Sequence, residues 1–139
     1  MLRGFVSVLL ISAMLPAAVS AQRVTSNFGT RVHPITGQVK HHAGMDIAVP
    51  SGSPVYATGD GYIGFAGWSG GYGNLIKIQH PSGYETRFGH LLKMAVVSGQ
   101  YVRKGALIGY VGSTGNSTGP HLHYEVRVNG VAVNPRGFM

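Results

Sequence analysis

Short apolar runs separated by turn-forming residues recur along the chain after residue 22. The runs are rich in Val, Ile, Tyr and Thr and are bounded by Gly, Pro or Asn, which is typical of strands joined by tight turns. No convincing helical period accompanies them. The pattern predicts strands at 54–57, 61–66, 74–80, 84–90, 94–97, 106–111 and 121–128.

Turn residues also predict how two pairs of strands connect. Asn129-Gly130 separates two alternating runs within 126–133, and Asn-Gly readily adopts the positive φ angles of a two-residue hairpin turn. His80–Tyr84, HPSGY, has the residues of a second hairpin connection. We therefore expect an all-β domain, an antiparallel sandwich-like sheet whose long Gly-rich loops, including 70–73 and 112–119, form a groove.

The first residues have a different character from the rest. Arg3 precedes an apolar run over 5–15, and the small residues Val19-Ser20-Ala21 follow. These are the parts of a secretory signal peptide, expected to span 1–21. The apolar run is shorter than the roughly 20 residues of a membrane-spanning helix, so a retained anchor is the less favoured alternative. Residues 22–139 then form one exported domain, periplasmic or extracellular, without a stable membrane span.

The cysteine content decides whether disulfides are possible, and the net charge indicates which binding partners to expect. The chain has eleven Lys and Arg residues, four acidic residues, a formal net charge of +7 and no cysteine. A disulfide framework is excluded, and the positive charge favours anionic partners. The basic residues are scattered singly except at Arg103-Lys104, without the basic helix or aromatic platform of a nucleic-acid binder. Nucleic acid is not expected, whereas an anionic cell-wall polymer suits an exported protein better.

Seven histidines are the unusual feature of the composition, because histidine is both the commonest metal ligand and the side chain that titrates near neutrality. His42 and Asp46 are four residues apart in HAGMD. Imidazole nitrogen and carboxylate oxygen are both zinc ligands. Taken alone, the pair fits a solvated loop equally well.

A second cluster lies in HLHYE, at 121–125. In an extended segment His121, His123 and Glu125 share one face. The spacing permits two metal ligands, or a ligand and a base, and exposed histidines on a polar sheet face are the alternative. His90, at the end of a predicted strand, is a third candidate that by itself also fits a structural histidine.

The candidates are more informative together. A catalytic zinc site needs three protein ligands, an open position for water and a group that transfers a proton. His42, Asp46 and one histidine of 121 or 123 would supply the ligands. His90 and the remaining histidine would then be available for proton transfer.

Four blocks of the chain resemble the lysostaphin-like, or LytM-like, zinc endopeptidases, which cut peptide bonds of bacterial peptidoglycan. The blocks occur in order and span most of the mature chain; they are SNFGTRVHPITG at 26–37, the segment from HAGMD to GGYGN at 42–74, YETRFGHL at 84–91, and 97–130. The resemblance implies a zinc-dependent endopeptidase that remodels or lyses the cell wall.

The resemblance also implies a role for each candidate. His42 and Asp46 match the family's His-x-x-x-Asp ligands, and His123 matches the third zinc ligand, the second histidine of its His-x-His element. His121 and His90 match the family's catalytic pair, whose division between base and oxyanion stabiliser stays open. We predict that Glu125 holds a ring nitrogen of an active-site imidazole, because such rings need the other nitrogen fixed.

Three questions remain open at this level. The bond cut is either a direct D-alanyl to diaminopimelate link, which we favour, or a glycine bridge. A non-catalytic wall-binding or amidase-activating member of the family is the alternative function, although all five ligand and catalytic positions are present. The Val-x-x-Gly rhythm over 96–109 also resembles biotinyl or lipoyl carriers, but that interpretation leaves the histidines unexplained.

Overall fold

The computed structural model describes residues 23–32 and 39–139, which form twelve strands and three short 3-10 helices. The strands are β1 (Arg23–Ser26), β2 (Gly29–Val32), β3 (Val39–His42), β4 (Met45–Ala48), β5 (Pro54–Tyr56), β6 (Gly61–Trp68), β7 (Asn74–Gln79), β8 (Tyr84–Met94), β9 (Tyr101–Val102), β10 (Leu107–Val111), β11 (Leu122–Val128) and β12 (Val131–Val133). The 3-10 helices are Gly70–Tyr72, Pro81–Gly83 and Pro135–Phe138. The predicted signal peptide, 1–21, lies outside the described residues.

Ten strands form one antiparallel sheet, with β11 and β8 near its centre in the order β1-β4-β11-β8-β7-β6-β9. β12 pairs with β11, β10 pairs with both β5 and β8, and β2 and β3 form a separate two-stranded sheet. The predicted all-β, antiparallel fold is confirmed. In the described part of the chain, no helix has the length and apolar character needed to cross a membrane.

Strand β8 bends so that one strand serves two layers. Residues 84–89 pair with β11, whereas 91–94 pair with β10. His90 lies between these segments with a φ of 61°, a left-handed conformation that is uncommon for a residue with a Cβ. The change of partner brings β10 and β5, which belong to the same ten-stranded sheet, against the apolar side chains of β7, β8 and β11.

The hydrophobic core lies between these two layers. Buried apolar side chains from β7, β8 and β11 form one cluster with those of β5 and β10; examples are Ile76, Ile78, Phe88, Tyr124, Val126, Val55, Ile108 and Val111. Burying each such side chain contributes about 1.5–3 kcal/mol. Because side chains alternate along a strand, the core on one face of β11 leaves His123 and Glu125 on the other.

Both predicted hairpins are present. Val128 pairs with Val131 across the two-residue Asn129-Gly130 turn, where φ is 51° and 79°. The Pro81–Gly83 helix joins β7 to β8. Asn and Gly adopt positive φ angles at low cost, and in the second turn the positive φ angles fall at Ser82 and Gly83.

The strand prediction is wrong at 94–97, and it misses the two-residue β9 and the strands before residue 50. The segment 94–97 is not a separate strand, because β8 continues to Met94 and a loop follows. In that loop Val96 is buried in the core, so its apolar character comes from packing and not from strand pairing. The strands before residue 50 were not predicted, since they are four residues long and β1 is nowhere fully buried.

His80 ties the turn between β7 and β8 to the core. Only 6% of its surface is exposed. Its Nδ1–H donates to the Asp60 carbonyl at 2.7 Å, and its Nε2 accepts from the Thr86 hydroxyl at 2.7 Å. The ring also stacks on Tyr84, with 4.4 Å between centroids. Burial lowers the pKa of His80 despite its contact with Asp60, so the ring is neutral at pH 7.

We predict that His80 makes the fold less stable as the pH falls. In the unfolded chain the histidine takes up a proton below its ordinary pKa of about 6.5, whereas the folded one resists protonation, so stability is lost as the pH falls below that value. His80→Gln should show a smaller loss of unfolding free energy between pH 7 and pH 5, measured by urea titration. His41→Gln, at an exposed histidine, is the control. An unchanged pH slope in His80→Gln would contradict the prediction.

Candidate metal centre and cleft

The centre of the sheet brings three of the predicted residues together. His123 on β11 lies directly opposite Asp46 on β4, and opposite Gly89 on its other neighbour, β8. His42 ends β3, four residues before Asp46. One ligand atom from each of His42, Asp46 and His123 lies within 4.8 Å of the others, so this group could hold a metal ion.

Gly44 allows the turn between β3 and β4 to approach β11 this closely. A Cβ at this position would lie 2.4 Å from the Tyr124 carbonyl oxygen and 2.7 Å from the Glu125 side chain. Real Cβ atoms essentially never come that close to another atom. The absence of a side chain at Gly44 therefore sets the distance between the His42–Asp46 turn and the strand that carries His123.

Hydrogen bonds orient both histidines of the group. His42 Nδ1–H donates to the Asn27 carbonyl at 2.9 Å, which leaves the Nε2 lone pair 3.4 Å from Asp46 Oδ2. His123 has the opposite orientation: Nε2 contacts Glu125 Oε2 at 2.7 Å, and Nδ1 lies 2.9 Å from Asp46 Oδ1. The Asn27 carbonyl fixes the tautomer of His42, and the two carboxylates fix the orientation of the His123 ring; partners of this kind are usual around metal sites.

His90 and His121 lie beside the group. His90 Nδ1–H donates to the Thr114 carbonyl at 2.8 Å, and His121 Nδ1–H donates to the Gly119 carbonyl at 2.9 Å. Their ring centroids are 4.7 Å apart. Since a carbonyl only accepts, each neutral ring keeps an Nε2 lone pair that can accept a proton.

A network of charges lies beneath the metal group. Glu125, only 2% exposed, accepts from the Tyr72 hydroxyl at 2.8 Å and from Arg127 Nε at 3.0 Å. Arg87 donates to the Tyr72 hydroxyl at 3.2 Å and to Glu85 at 2.6 Å. Every buried carboxylate oxygen of Glu125 therefore has a donor, as a buried charge requires.

Tyr72 and Arg87 were not among the predicted site residues. Glu85 and Arg87 alternate along β8 as Glu125 and Arg127 do along β11, which was a usable signal. Only the register, with Glu125 opposite Arg87 and Arg127 opposite Glu85, shows that these alternations meet. Tyr72 comes from a neighbouring 3-10 helix and has no such signal in the sequence.

These contacts shift the pKa values of Glu125 and His123. Burial alone would raise the pKa of Glu125, but hydrogen bonds from His123, Tyr72 and Arg127 lower it to about 2. Burial alone would lower the pKa of His123, but Asp46 and Glu125 raise it to about 9. Glu125 is therefore a permanent carboxylate at neutral pH, held against the imidazole of His123.

The pKa values of Asp46 and His90 are both lowered, which suits a metal ligand and a proton acceptor. Burial would raise the pKa of Asp46, but His123, His42 and His121 together lower it. Burial lowers the pKa of His90 and the neighbouring His121 and His123 lower it further, against the effect of the Thr114 carbonyl. Asp46 thus offers an ionised carboxylate, and His90 offers a neutral imidazole.

All five predicted ligand and catalytic residues open onto one cleft of about 470 Å³. It is lined by His42, Asp46, Gly71, Tyr72, His90, Asn116, Ser117, Thr118, His121 and His123. Its walls come from the two Gly-rich segments, 70–73 and 112–119, so the expected groove is confirmed. Glu125 does not line the cleft and lies beneath His123.

The fold and the His, Asp and His group together define a domain of the metallopeptidase type. Residues 40–135 match the model of Peptidase family M23. The chain belongs to that family, and the expected lysostaphin-like relationship is confirmed.

Curated relatives agree with this assignment. The chain is 53% identical over 113 residues to the DD-carboxypeptidase/endopeptidase Mpg of Neisseria meningitidis serogroup B, covering 81% of the chain and 26% of that protein. It is 44% identical over 125 residues to the peptidoglycan DD-endopeptidase ShyC of Vibrio cholerae, covering 89% of the chain and 29% of that protein. The chain thus spans little more than a quarter of the length of these relatives.

Solved structures have the same fold. A zinc-containing peptidase from Vibrio cholerae superposes with a TM-score of 0.76 at 46% identity, covering 81% of this chain and 35% of that one. The catalytic domain of the antimicrobial peptidase lysostaphin from Staphylococcus simulans gives 0.77 at 36% identity, covering 86% and 93%. The second match covers nearly all of a single catalytic domain.

We predict that Gly44→Ala destabilises the protein by about 1–3 kcal/mol, the usual cost of overpacking, because the new Cβ would overlap the backbone of β11. Urea unfolding measures the change. Gly137→Ala is the matched control, since a Cβ there would meet no atom within 4 Å. Equal stabilities for the two variants would show that the turn does not pack as described.

Proposed function

We propose that this chain is a zinc-dependent endopeptidase that hydrolyses peptide bonds of peptidoglycan. The observation that carries the proposal is one open cleft into which His42, Asp46 and His123 direct ligand atoms within 4.8 Å of one another, with His90 and His121 alongside. Names of relatives support the substrate class, since ShyC is called a peptidoglycan DD-endopeptidase. The cell-wall polymer is also anionic, and an anionic substrate suits a chain with a net charge of +7.

Zinc fits the three proposed ligands. With bonds of 2.0–2.2 Å, tetrahedral ligand atoms lie about 3.4 Å apart. His42 Nε2 lies 3.4 Å from Asp46 Oδ2, His123 Nδ1 lies 2.9 Å from Asp46 Oδ1, and one ligand atom of each residue lies within 4.8 Å of the others, so small shifts would bring the three around one ion. Two imidazoles and one carboxylate are a ligand set that catalytic zinc commonly uses, with a further position left open.

The two remaining histidines, His90 and His121, transfer protons in the proposed reaction. When bound, zinc supplies Lewis-acid chemistry: it polarises a carbonyl and lowers the pKa of water towards 7. Nε2 of His90 or of His121 accepts a proton from the attacking water, and the other ring stabilises the developing oxyanion or donates a proton to the leaving amine. The lowered pKa of His90 keeps its imidazole neutral at pH 7, as a proton acceptor must be.

Similarity favours one type of bond. The relatives called DD-endopeptidase or DD-carboxypeptidase/endopeptidase are 44–53% identical to the chain, whereas the lysostaphin domain is 36% identical. We therefore propose the direct D-alanyl to diaminopimelate cross-link as the substrate, rather than a glycine bridge. The predicted signal peptide, 1–21, would export the enzyme to the periplasm or cell wall, where this substrate lies.

A non-catalytic wall-binding or amidase-activating role is the competing function. A protein with that role needs neither a complete ligand set nor free imidazoles. Here all five side chains converge, the Asn27 and Thr114 carbonyls hold His42 and His90 in defined tautomers, and Glu125 orients the His123 ring. This degree of orientation favours catalysis.

We predict that the purified protein releases monomers from directly cross-linked muropeptide dimers, followed by mass spectrometry. A chelator should abolish release and added zinc should restore it. His121→Ala should lower kcat by about 10²–10⁴-fold, the usual contribution of a general acid or base. His41→Ala is the matched control, because this exposed histidine lies next to His42 but does not line the cleft.

Two outcomes would change the proposal. Cleavage of glycine-bridged dimers alone would replace the proposed bond while keeping the enzyme class. A folded, zinc-loaded protein that cleaves neither dimer would contradict catalysis and favour the binding or activating role.

We also predict that Glu125→Gln weakens zinc binding by about 10–100-fold, the usual effect of removing such a partner. The variant loses the negative charge that holds the His123 ring. Competition with a chromogenic chelator measures the affinity. Glu85→Gln is the control, because Glu85 pairs with Arg87 in the same network without touching His123. Equal zinc affinities for both variants and the wild type would remove Glu125 from the site.

A further inference from the structure

The bend at His90 needs support from its surroundings. A φ of 61° is disfavoured for a residue with a Cβ, and such conformations persist where neighbouring groups over-determine them. His90 is also 8% exposed, so its ring has few alternative positions. The groups that hold the bend therefore help to decide where its imidazole points.

Two side chains hold the backbone immediately after His90. Thr114 Oγ1 donates to the Leu91 carbonyl at 2.7 Å. Asn74 Nδ2 donates to the same carbonyl at 3.0 Å and to the Leu92 carbonyl at 3.2 Å. Thr114 Oγ1 also accepts from the Asn74 backbone N–H at 3.1 Å. We call this pair of residues, Asn74 and Thr114, the Leu91 clamp.

The clamp also reaches the His90 ring. The Thr114 carbonyl accepts the hydrogen bond from His90 Nδ1–H at 2.8 Å, so one residue holds both the ring and the backbone that follows it. Close packing fixes Thr114 itself. A Cβ at Gly73 would lie 2.4 Å from the Thr114 carbonyl carbon, and one at Gly112 would lie 2.5 Å from Leu92 N. A side chain at either glycine would push the Thr114 segment away from these neighbours.

We infer that Asn74 and Thr114 are positioning residues that keep Nδ1 of His90 protonated and its Nε2 lone pair directed into the cleft. Neither residue lines the cleft, so each acts through His90 and not on the substrate. The inference rests on the proposed proton-transfer role of His90. Among the described residues, His121 has a separate support in Gly119 and Ser117, so loss of the clamp acts first on His90.

Thr114→Val is the first test, because it removes the hydroxyl while keeping the shape. Long-range ¹H–¹⁵N NMR of histidine-labelled protein reports the tautomer of each ring, and His90→Ala assigns the signal. We expect the wild-type His90 to carry its proton on Nδ1, and Thr114→Val to lose that single tautomer. We also expect kcat to fall roughly 10- to 100-fold, as misplacement of a reacting group does, with KM and zinc content unchanged.

Further variants separate positioning from general destabilisation. Thr114→Ser, which keeps the hydroxyl, should restore the His90 tautomer and most of the lost kcat. Thr58→Val removes a part-buried threonine hydroxyl that contacts Tyr124, outside the cleft, and should leave the His90 signal unchanged. If Thr114→Val does not fold, Asn74→Ala, which removes the two donors to Leu91 and Leu92, takes its place with the same expected results.

The outcomes distinguish this inference from the proposed function. An unchanged His90 tautomer and unchanged kcat in a folded variant would overturn the inference and leave the enzyme intact. A lower kcat with an unchanged His90 signal, or with lost zinc, would also overturn it, because the effect would not pass through His90. If the wild type cleaves no muropeptide, the proposed function fails, and the NMR comparison still decides whether the clamp orients the ring.

Discussion

The pairing of β11 with β4 on one side and β8 on the other is the constraint on which the site depends. It places His123 opposite Asp46 and opposite Gly89, next to His90. Because side chains alternate with a period of two, a slip of one residue would turn the polar face of β11 into the core. The buried Tyr124 and Val126 on the other face oppose such a slip, so the hydrophobic core fixes the register and the register assembles the site.

This arrangement has an electrostatic cost that the network beneath the cleft offsets. Glu125 is a buried carboxylate, and an isolated buried charge is strongly unfavourable. Hydrogen bonds from His123, Tyr72 and Arg127 satisfy it, and Arg87 extends the network to Glu85. The same contacts hold the His123 ring, so the groups that stabilise the buried charge also orient a proposed metal ligand.

The sequence allowed some of this to be predicted and left other parts hidden. Alternation in HLHYE predicted the shared face of His123 and Glu125, because strand geometry is local. The contact of Tyr72 with Glu125 depends on a long-range approach between a 3-10 helix and β11, for which no local pattern exists. The left-handed φ of His90 had no sequence signal either, since glycine is the residue that usually indicates it. Assignment of His42, Asp46 and His123 as one group came from the family resemblance, because the spacing alone left His121 and His123 equivalent.

The direct test of the central claim is a crystal structure of the zinc-loaded protein, with anomalous scattering at the zinc absorption edge to locate the ion. We expect zinc bound by Nε2 of His42, the Asp46 carboxylate and Nδ1 of His123, with one position open to the cleft and no bond to His90 or His121. Zinc held by His90 or His121 in place of any of these three ligands would contradict it.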